Sequence, residues 1–480
     1  MSALRQADLR ALATRGVQVP GYDRERIGIG VLHFGPGAFH RVHQSCYFDD
    51  ALAADPRWGI AAVSLHSSGV RDALAPQDHL YTLAVLDETT ILRVVGAIKE
   101  VLVAPESPSA ITQRLADPAV NIVTMTVTEK GYCLTSSGSL DFSHPELTHD
   151  LAQPNAPRSL IGHLCAGLAR RRALGIAAPN IVSCDNLTDN GPRLRRAVVE
   201  LAQRHDFDLA RWIEDEVPFP RTMVDSITPA TDAALRDMVA DRLGVIDRWP
   251  VQREAFSQWV IEDCMQGAQP DWAALGVTIT GNVAGFERAK LRLLNGAHSS
   301  LAYLGLAAGH ETVAQAMRDP EIASLVRRLM IEDIAPAVVA PRGLDVADYI
   351  ESILRRFRNP ALRYQLLQIA GDSSQKLPFR LLGTVLDAVE ARRPLERLCL
   401  PIAAWFHFAR RKAQLGERVL DPLAEQLFAI GIACSGDAAH DVRAFLSLER
   451  VFPATLVRHS GFVQALTDAY AQLLQQRRQP

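Results

Sequence analysis

The run Ile27-Gly-Ile-Gly-Val-Leu-His-Phe34, followed at once by Gly35-Pro36-Gly37-Ala38-Phe39-His40-Arg41, decides the fold class of this chain. A mostly apolar run of strand length leads into two glycines that allow a tight turn, and Ala38 onward can open a helix. Strand, glycine turn and helix, in that order, is the context a dinucleotide-binding loop requires. Gly35 permits the turn, and Gly37 lets a pyrophosphate approach the backbone amides at the positive end of the helix. Phe34, Gly35, Gly37, Ala38 and Phe39 are therefore the candidate cofactor-binding residues. The pattern is incomplete, because His40 stands where the third glycine belongs. A glycine turn between a strand and a helix also exists without any ligand.

Outward from this run, residues 59–65 form a second strand candidate. Its end should carry the residue that reads an adenosine ribose: a carboxylate for NAD, a basic group for the NADP phosphate. This chain has His66-Ser67-Ser68-Gly69-Val70-Arg71 there, with no carboxylate. NAD is the expected cofactor and NADP stays open. Residues 81–86 and 91–95 alternate as a pair of strands with a turn at Asp87-Glu88. Residues 121–128 are β-branched and end at Glu129, and residues 180–184 run into Asp185-Asn186. Polar side chains just past the carboxyl end of a parallel strand stand where open α/β sheets bind ligands. Either Asp185 or Asn186 can instead cap the helix expected over 192–204. Asp225, in a short strand and loop between prolines, can orient a lysine or cap a turn, and residues 254–263 add a strand. From about residue 283 strand patterns stop, and helical periodicity continues to about residue 449. Residues 1–26 read as irregular. The expected architecture is α/β, with a Rossmann-type dinucleotide-binding domain over 1–282 and a mostly helical substrate-binding domain over 283–480.

Close to that boundary lies Lys290-Leu-Arg-Leu-Leu-Asn295-Gly-Ala-His298, whose leucines and alanines mark a buried helix. A buried lysine without a counter-ion tends to lose its proton, and the neutral amine can act as a base. On an ideal α-helix the three polar residues spread over roughly 140°. A helix end can present such an arc, whereas a helix lying flat on a core cannot.

The totals limit the remaining possibilities. A chain of 480 residues is too long for one ordinary core. With 51 basic against 54 acidic residues and no charged tail, neither nucleic acid nor a membrane surface is an expected partner. No apolar run approaches a bilayer span, and the amino terminus lacks a signal peptide's apolar core. Seven scattered cysteines, never spaced as CxxC, suit a reducing cytoplasm and argue against a zinc site or disulfide framework. Nothing in the sequence specifies an oligomeric state.

Taken together, Phe34-Gly-Pro-Gly-Ala-Phe-His-Arg41, Thr126-Val-Thr-Glu-Lys-Gly-Tyr132, Ser183-Cys-Asp-Asn186, Met223-Val-Asp225, Lys290-x4-Asn295-x2-His298 and Ser374-Gln-Lys-Leu-Pro378 resemble the polyol-specific long-chain dehydrogenases. The resemblance covers nearly the whole chain in the same order. It implies zinc-independent hydride transfer with a nicotinamide cofactor, no metal, and a small sugar acid or polyol as substrate. Lys290 resembles the family's general acid/base, and Asn186 and Asn295 the asparagines that hold the reacting oxygen. His298, Asp225 and Glu129 resemble its substrate-binding and supporting residues. The wording around Thr128–Cys133 and Ser374–Pro378 is similar to the branch that interconverts mannonate and fructuronate. Mannitol enzymes of the family carry an arginine where Gln368 stands. A hexuronate carboxylate needs a cation, for which Lys376 is the candidate, with Arg363 and Arg380 behind it. Ser373 departs from the family's usual glycine. The alternatives are mannitol and fructose as the substrate pair, or a non-catalytic dinucleotide-binding regulator.

Overall fold

The computed structural model describes residues 1–135 and 137–476. The chain divides into two compact units, Met1–Val283 and Ala284–Pro480.

In the first unit the strands are β1 (Ile29–Phe34), β2 (Gly59–Ser64), β3 (Tyr81–Leu86), β4 (Ile91–Val95), β5 (Ile98–Val103), β6 (Ile122–Met125), β7 (Asn180–Ser183), β8 (Thr222–Asp225), β9 (Val251–Glu254), β10 (Gln258–Glu262) and β11 (Thr278–Thr280). Five of them form a parallel sheet in the order β5-β2-β1-β6-β7. The strand order reverses between β1 and β6, and open α/β sheets bind ligands outside the carboxyl ends at such a reversal. The inner strands are mostly apolar because both faces are covered, and the edge strand β5 carries the charged Lys99 and Glu100. Leu32 and Phe34 join Val63, Val123 and Ile181 on one face, against helices Pro108–Leu115, Leu160–Ala173 and Asn190–His205. The alternate residue Val31 joins Ile60, Ala62, Ile122 and Val182 on the other, with Phe48, Trp259 and Trp272.

Two small sheets complete the unit. The β3–β4 hairpin is antiparallel, as its alternation requires, and β9 adds to β3 in parallel. The second sheet has the order β11-β10-β8. Two local expectations need correction. Residues 1–26 carry a 3-10 turn, Gln6–Asp8, and a helix, Leu9–Thr14, held down by buried Leu4 and Leu12. Neither Asp185 nor Asn186 caps the helix after β7, which starts at Asn190 behind a left-handed Asp189.

The second unit is helical. Among its described residues the only β-type contact is a single bridge between Thr312 and Gln365. Helix Glu396–Gln414 packs against Ala297–Ala308, Ala424–Ala433 and Ser460–Gln476. That last helix lies beyond the periodicity read from the sequence. Among the described residues, three stretches wind as π-helix: Lys290–Gly296, Leu329–Ile334 and Pro378–Leu382. No described helix is long and apolar enough to cross a membrane, and none of the seven cysteines is in a disulfide.

Candidate active site

At the end of β1 the chain turns through Gly35 at φ +83°, where a side chain would be strained whatever the space. A Cβ there would also lie 2.3 Å from the Thr126 carbonyl oxygen of β6's extension. Gly37 caps helix Ala38–Val42 from an extended conformation. Only the Gly35 oxygen, at 3.9 Å, would come near a Cβ on Gly37, so the space above it is open. The first amides of a helix have no intrahelical partner, and a glycine cap supplies no side chain to satisfy them. This open cradle, with Ala38 and Phe39 heading the helix, fits a pyrophosphate.

His40, in the place of the third glycine, is wholly buried and stacks on His33 of β1, with ring centroids 3.3 Å apart. The close helix–strand approach that a glycine would allow is replaced by two stacked imidazoles. His33 Nδ1 lies 2.8 Å from the Thr124 hydroxyl, and Nε2 lies 3.1 Å from the Gly35 carbonyl oxygen and 3.2 Å from Thr126 Oγ1. A neutral ring with its proton on Nε2 satisfies both sides. Burial enforces that state by pushing the His33 pKa down to about 3. The Thr126 hydroxyl also donates to the Gly35 carbonyl at 2.8 Å, so the turn is held from beneath. Arg41 is a structural residue: buried, it donates to the Trp249 carbonyl at 2.7 Å and lies over the Tyr81 and Trp249 rings.

Glu129 opens a 3-10 turn, Glu129–Tyr132, directly after Thr128, whose φ of +66° is unusual for a threonine. Asp185 maintains that conformation. Its carboxylate accepts from the Val127 amide at 3.1 Å, the Thr128 amide at 2.8 Å and the Tyr132 hydroxyl at 2.7 Å. Burial raises the Asp185 pKa, and the three donors oppose the rise. Asn186 follows immediately, its turn fixed by Asn190. The Asn190 amide donates to the carbonyls of Ser183, Asp185 and Thr222 at 3.0–3.2 Å, and its oxygen accepts from the Thr222 and Gly191 amides. Glu129, Asn186 and the β1 turn thus share the carboxyl edge of one sheet. Asp225, buried, ends β8 in the neighbouring small sheet, opposite Gln258.

In the second unit Lys290 and Asn295 lie within the π-helical stretch Lys290–Gly296, and His298 lies in the α-helix Ala297–Ala308 that continues it. All three are half-buried. A π-turn takes roughly 4.4 residues, so five steps carry Asn295 to roughly 50° from Lys290 rather than the roughly 140° of an α-helix. His298, one π step and two α-helical steps further on, falls roughly 30° to the other side of Lys290. One helix face therefore presents all three.

His298 stacks on Phe357 at 5.3 Å and meets Tyr364 at the same separation. The π-stretch Pro378–Leu382 lies against Lys290–Gly296 so closely that a Cβ on Gly296 would sit 2.8 Å from the Arg380 carbonyl oxygen. Arg380 donates to Ser299 Oγ at 3.0 Å. Lys376 donates to the Gly371 carbonyl at 2.6 Å and lies 3.5 Å from that of Ile369. Burial, then the Arg380 charge, lowers the Lys376 pKa. Arg363 is exposed. Ser373 is buried, accepts the Tyr303 hydroxyl at 2.7 Å and donates to the Ala370 carbonyl at 2.6 Å. Its hydroxyl is an anchor, which accounts for its departure from glycine.

His33, Tyr132 and Asn190 are positioning residues that the sequence reading did not single out, Tyr132 carrying a signal only as part of a quoted motif. Asp185, read there as a residue at the binding edge or a cap, is a positioning residue too.

Residues 29–274 match the family model described as the mannitol dehydrogenase Rossmann domain, and residues 282–474 the one described as the mannitol dehydrogenase C-terminal domain. The D-mannonate oxidoreductase of Escherichia coli (strain K12) is 40% identical over 464 residues, 95% of this chain and 95% of the relative. A mannitol 2-dehydrogenase of Aspergillus fumigatus is 35% identical over 97% of this chain and 95% of its own length. The structure of Pseudomonas fluorescens mannitol 2-dehydrogenase in ternary complex with NAD and D-mannitol matches with a TM-score of 0.81 and 36% identity, covering 100% of both chains.

Proposed function

This chain belongs to the mannitol dehydrogenase family of oxidoreductases, and from that premise we propose that it interconverts D-mannonate and D-fructuronate with NAD, using Lys290 as general acid/base. The observation that carries the chemistry is the π-turn that gathers Lys290, Asn295 and His298 on one helix face. Bound in the glycine cradle of β1, NAD supplies the nicotinamide that takes up hydride. Oxidising a secondary alcohol also frees a proton from oxygen, and the Lys290 amine receives it. The developing negative oxygen needs donors already aimed at it, and the amides of Asn186 and Asn295 have that role. His298, held flat by Phe357, orients the substrate hydroxyls. Glu129 and Asp225 are supporting acids.

Two features support the finer choices. An ammonium has three donors, and the backbone carbonyls near Lys376 engage at most two. The third is available to a hexuronate carboxylate, while Gln368 offers no charge. Beyond β2, in the helix Gly69–Leu74, Arg71 pairs with Asp72 at 2.9 Å and with Glu106. That pairing favours NAD over a ligand carrying a further phosphate.

The test is turnover of the purified chain with mannonate, altronate, mannitol, arabinitol and sorbitol, each with NAD and NADP. Mannonate with NAD should give the highest kcat/KM. A higher value with mannitol would transfer the assignment to the mannitol–fructose pair. Lys290→Ala should lower kcat by about a thousandfold while NADH binding persists. Undiminished turnover would remove Lys290 from its role, and no turnover on any substrate despite NADH binding would make the chain a dinucleotide-binding regulator.

A further inference from the structure

Behind the Glu129 turn, donors of three kinds converge that the proposed reaction does not use. One ligand atom each from Cys133, His144 and Glu146 lies within 4.8 Å of the other two. His66 Nδ1, at the end of β2, is 3.7 Å from Glu146 Oε1. We propose that Cys133, His144 and Glu146 form a binding site for a borderline-soft divalent cation such as Zn2+, with His66 as the fourth donor.

Thiolate, imidazole and carboxylate are the ligand types zinc takes, at about 2.0–2.3 Å in a tetrahedron. Ligand atoms around such an ion stand roughly 3.5 Å apart, so side-chain turns alone close the site. The backbone already holds it. The Asp141 amide donates to the Cys133 carbonyl at 2.8 Å, and the His144 amide donates to the Asp141 carbonyl at 2.9 Å. A bridge between Leu134 and Leu140 ties the same loop. Cys133 itself is held at φ +52°, a left-handed conformation uncommon for a residue with a side chain. His144 caps helix Pro145–Ala152 only through a long contact, its Nδ1 accepting from the Glu146 amide at 3.4 Å. Little is lost when the ring turns to a cation.

Cys133 is buried, whereas His144 and Glu146 are half-buried, so an ion enters from their side. Once bound, it clasps the segment after β6, which bears Glu129 and Tyr132, to His66 beyond β2. The cation is structural, and hydride transfer stays metal-independent.

Cobalt(II) titration of the metal-free, full-length chain tests the site. One equivalent should bind with a near-ultraviolet thiolate-to-cobalt band and visible tetrahedral bands, releasing protons as the thiol ionises. Cys133→Ser should abolish the thiolate band, and His144→Ala and Glu146→Gln should weaken binding by about tenfold or more. Cys264→Ser, at an exposed thiol, should change nothing. Absence of the band at a tenfold excess of cobalt, its persistence in Cys133→Ser, or its loss in Cys264→Ser would overturn the proposal. His144 is half-buried, so His144→Ala decides the matter even if the Cys133 variant does not fold. Unchanged affinity in His66→Ala would overturn the fourth donor alone.

Discussion

Gly35 and Gly37 look alike in the sequence and do different work. Gly35→Ala places a Cβ against the Thr126 carbonyl at a left-handed φ, so it should cost about 1–3 kcal/mol and lower the melting temperature. Gly37→Ala meets no protein atom closely. It should leave melting unchanged and weaken NADH binding, as read by titration calorimetry. His33 gives a pH dependence of known sign. Its pKa is about 3 in the fold and ordinary in the unfolded chain, so below about 6.5 the unfolded state takes up a proton that the fold refuses. Its contribution is complete above that pH and is lost as pH falls toward 3, by up to about 1.4 kcal/mol per pH unit. Urea midpoints at pH 7 and pH 5 should therefore differ less in His33→Gln than in the parent. Single residues of the site were legible where a polar side chain interrupts an apolar run, as at Lys290, or follows a strand, as at Glu129 and Asn186. Asp185 and Asn190 were not, because a carboxylate that satisfies amides across a turn reads in sequence like any cap.

The element that matters most was the least legible. Residues 290–296 have the composition of an ordinary helix, and a π-turn differs from an α-turn only by one extra residue that apolar patterning absorbs. Wound as α-helix, Lys290 and Asn295 are too far apart around the axis to share a face fully, and only a helix end could present both. The π-winding removes that requirement. Inserting an alanine after Leu291 should turn Asn295 away from Lys290, by about 130° on π-winding and about 120° on α-winding, and abolish turnover, while circular dichroism stays that of the parent. Retained activity in a folded insertion variant would refute the need for a shared face.

At the scale of the molecule, alternating and continuous apolar runs gave β1, β2, β6, β7, β8 and β10, the β3–β4 hairpin and the change to helix, while β5, β9 and β11 went unread. The order β5-β2-β1-β6-β7 came from no residue pattern, since register across a sheet is a long-range property. Helix Ser460–Gln476 was readable but unread: Phe462, Leu466, Ala469 and Tyr470, all buried, repeat at helical spacing. The whole chain should also report its cofactor. NADH at a hundred times its Kd should stabilise the fold by about 2.7 kcal/mol, seen as an upward shift in melting temperature, and equal NADPH should shift it less. The reverse order would show that the Arg71–Asp72–Glu106 cluster does not exclude the extra phosphate.

A π-turn is the trace of a single residue inserted into an α-helix, which gives Lys290–Gly296 a use in comparative genomics. A relative with a one-residue gap here carries lysine and asparagine four positions apart, about 40° around an α-helix, and keeps the shared face without the π-turn. An insertion of one residue there, more than loss of Lys290 itself, turns the two side chains apart and marks paralogues that retained the scaffold after abandoning the reaction.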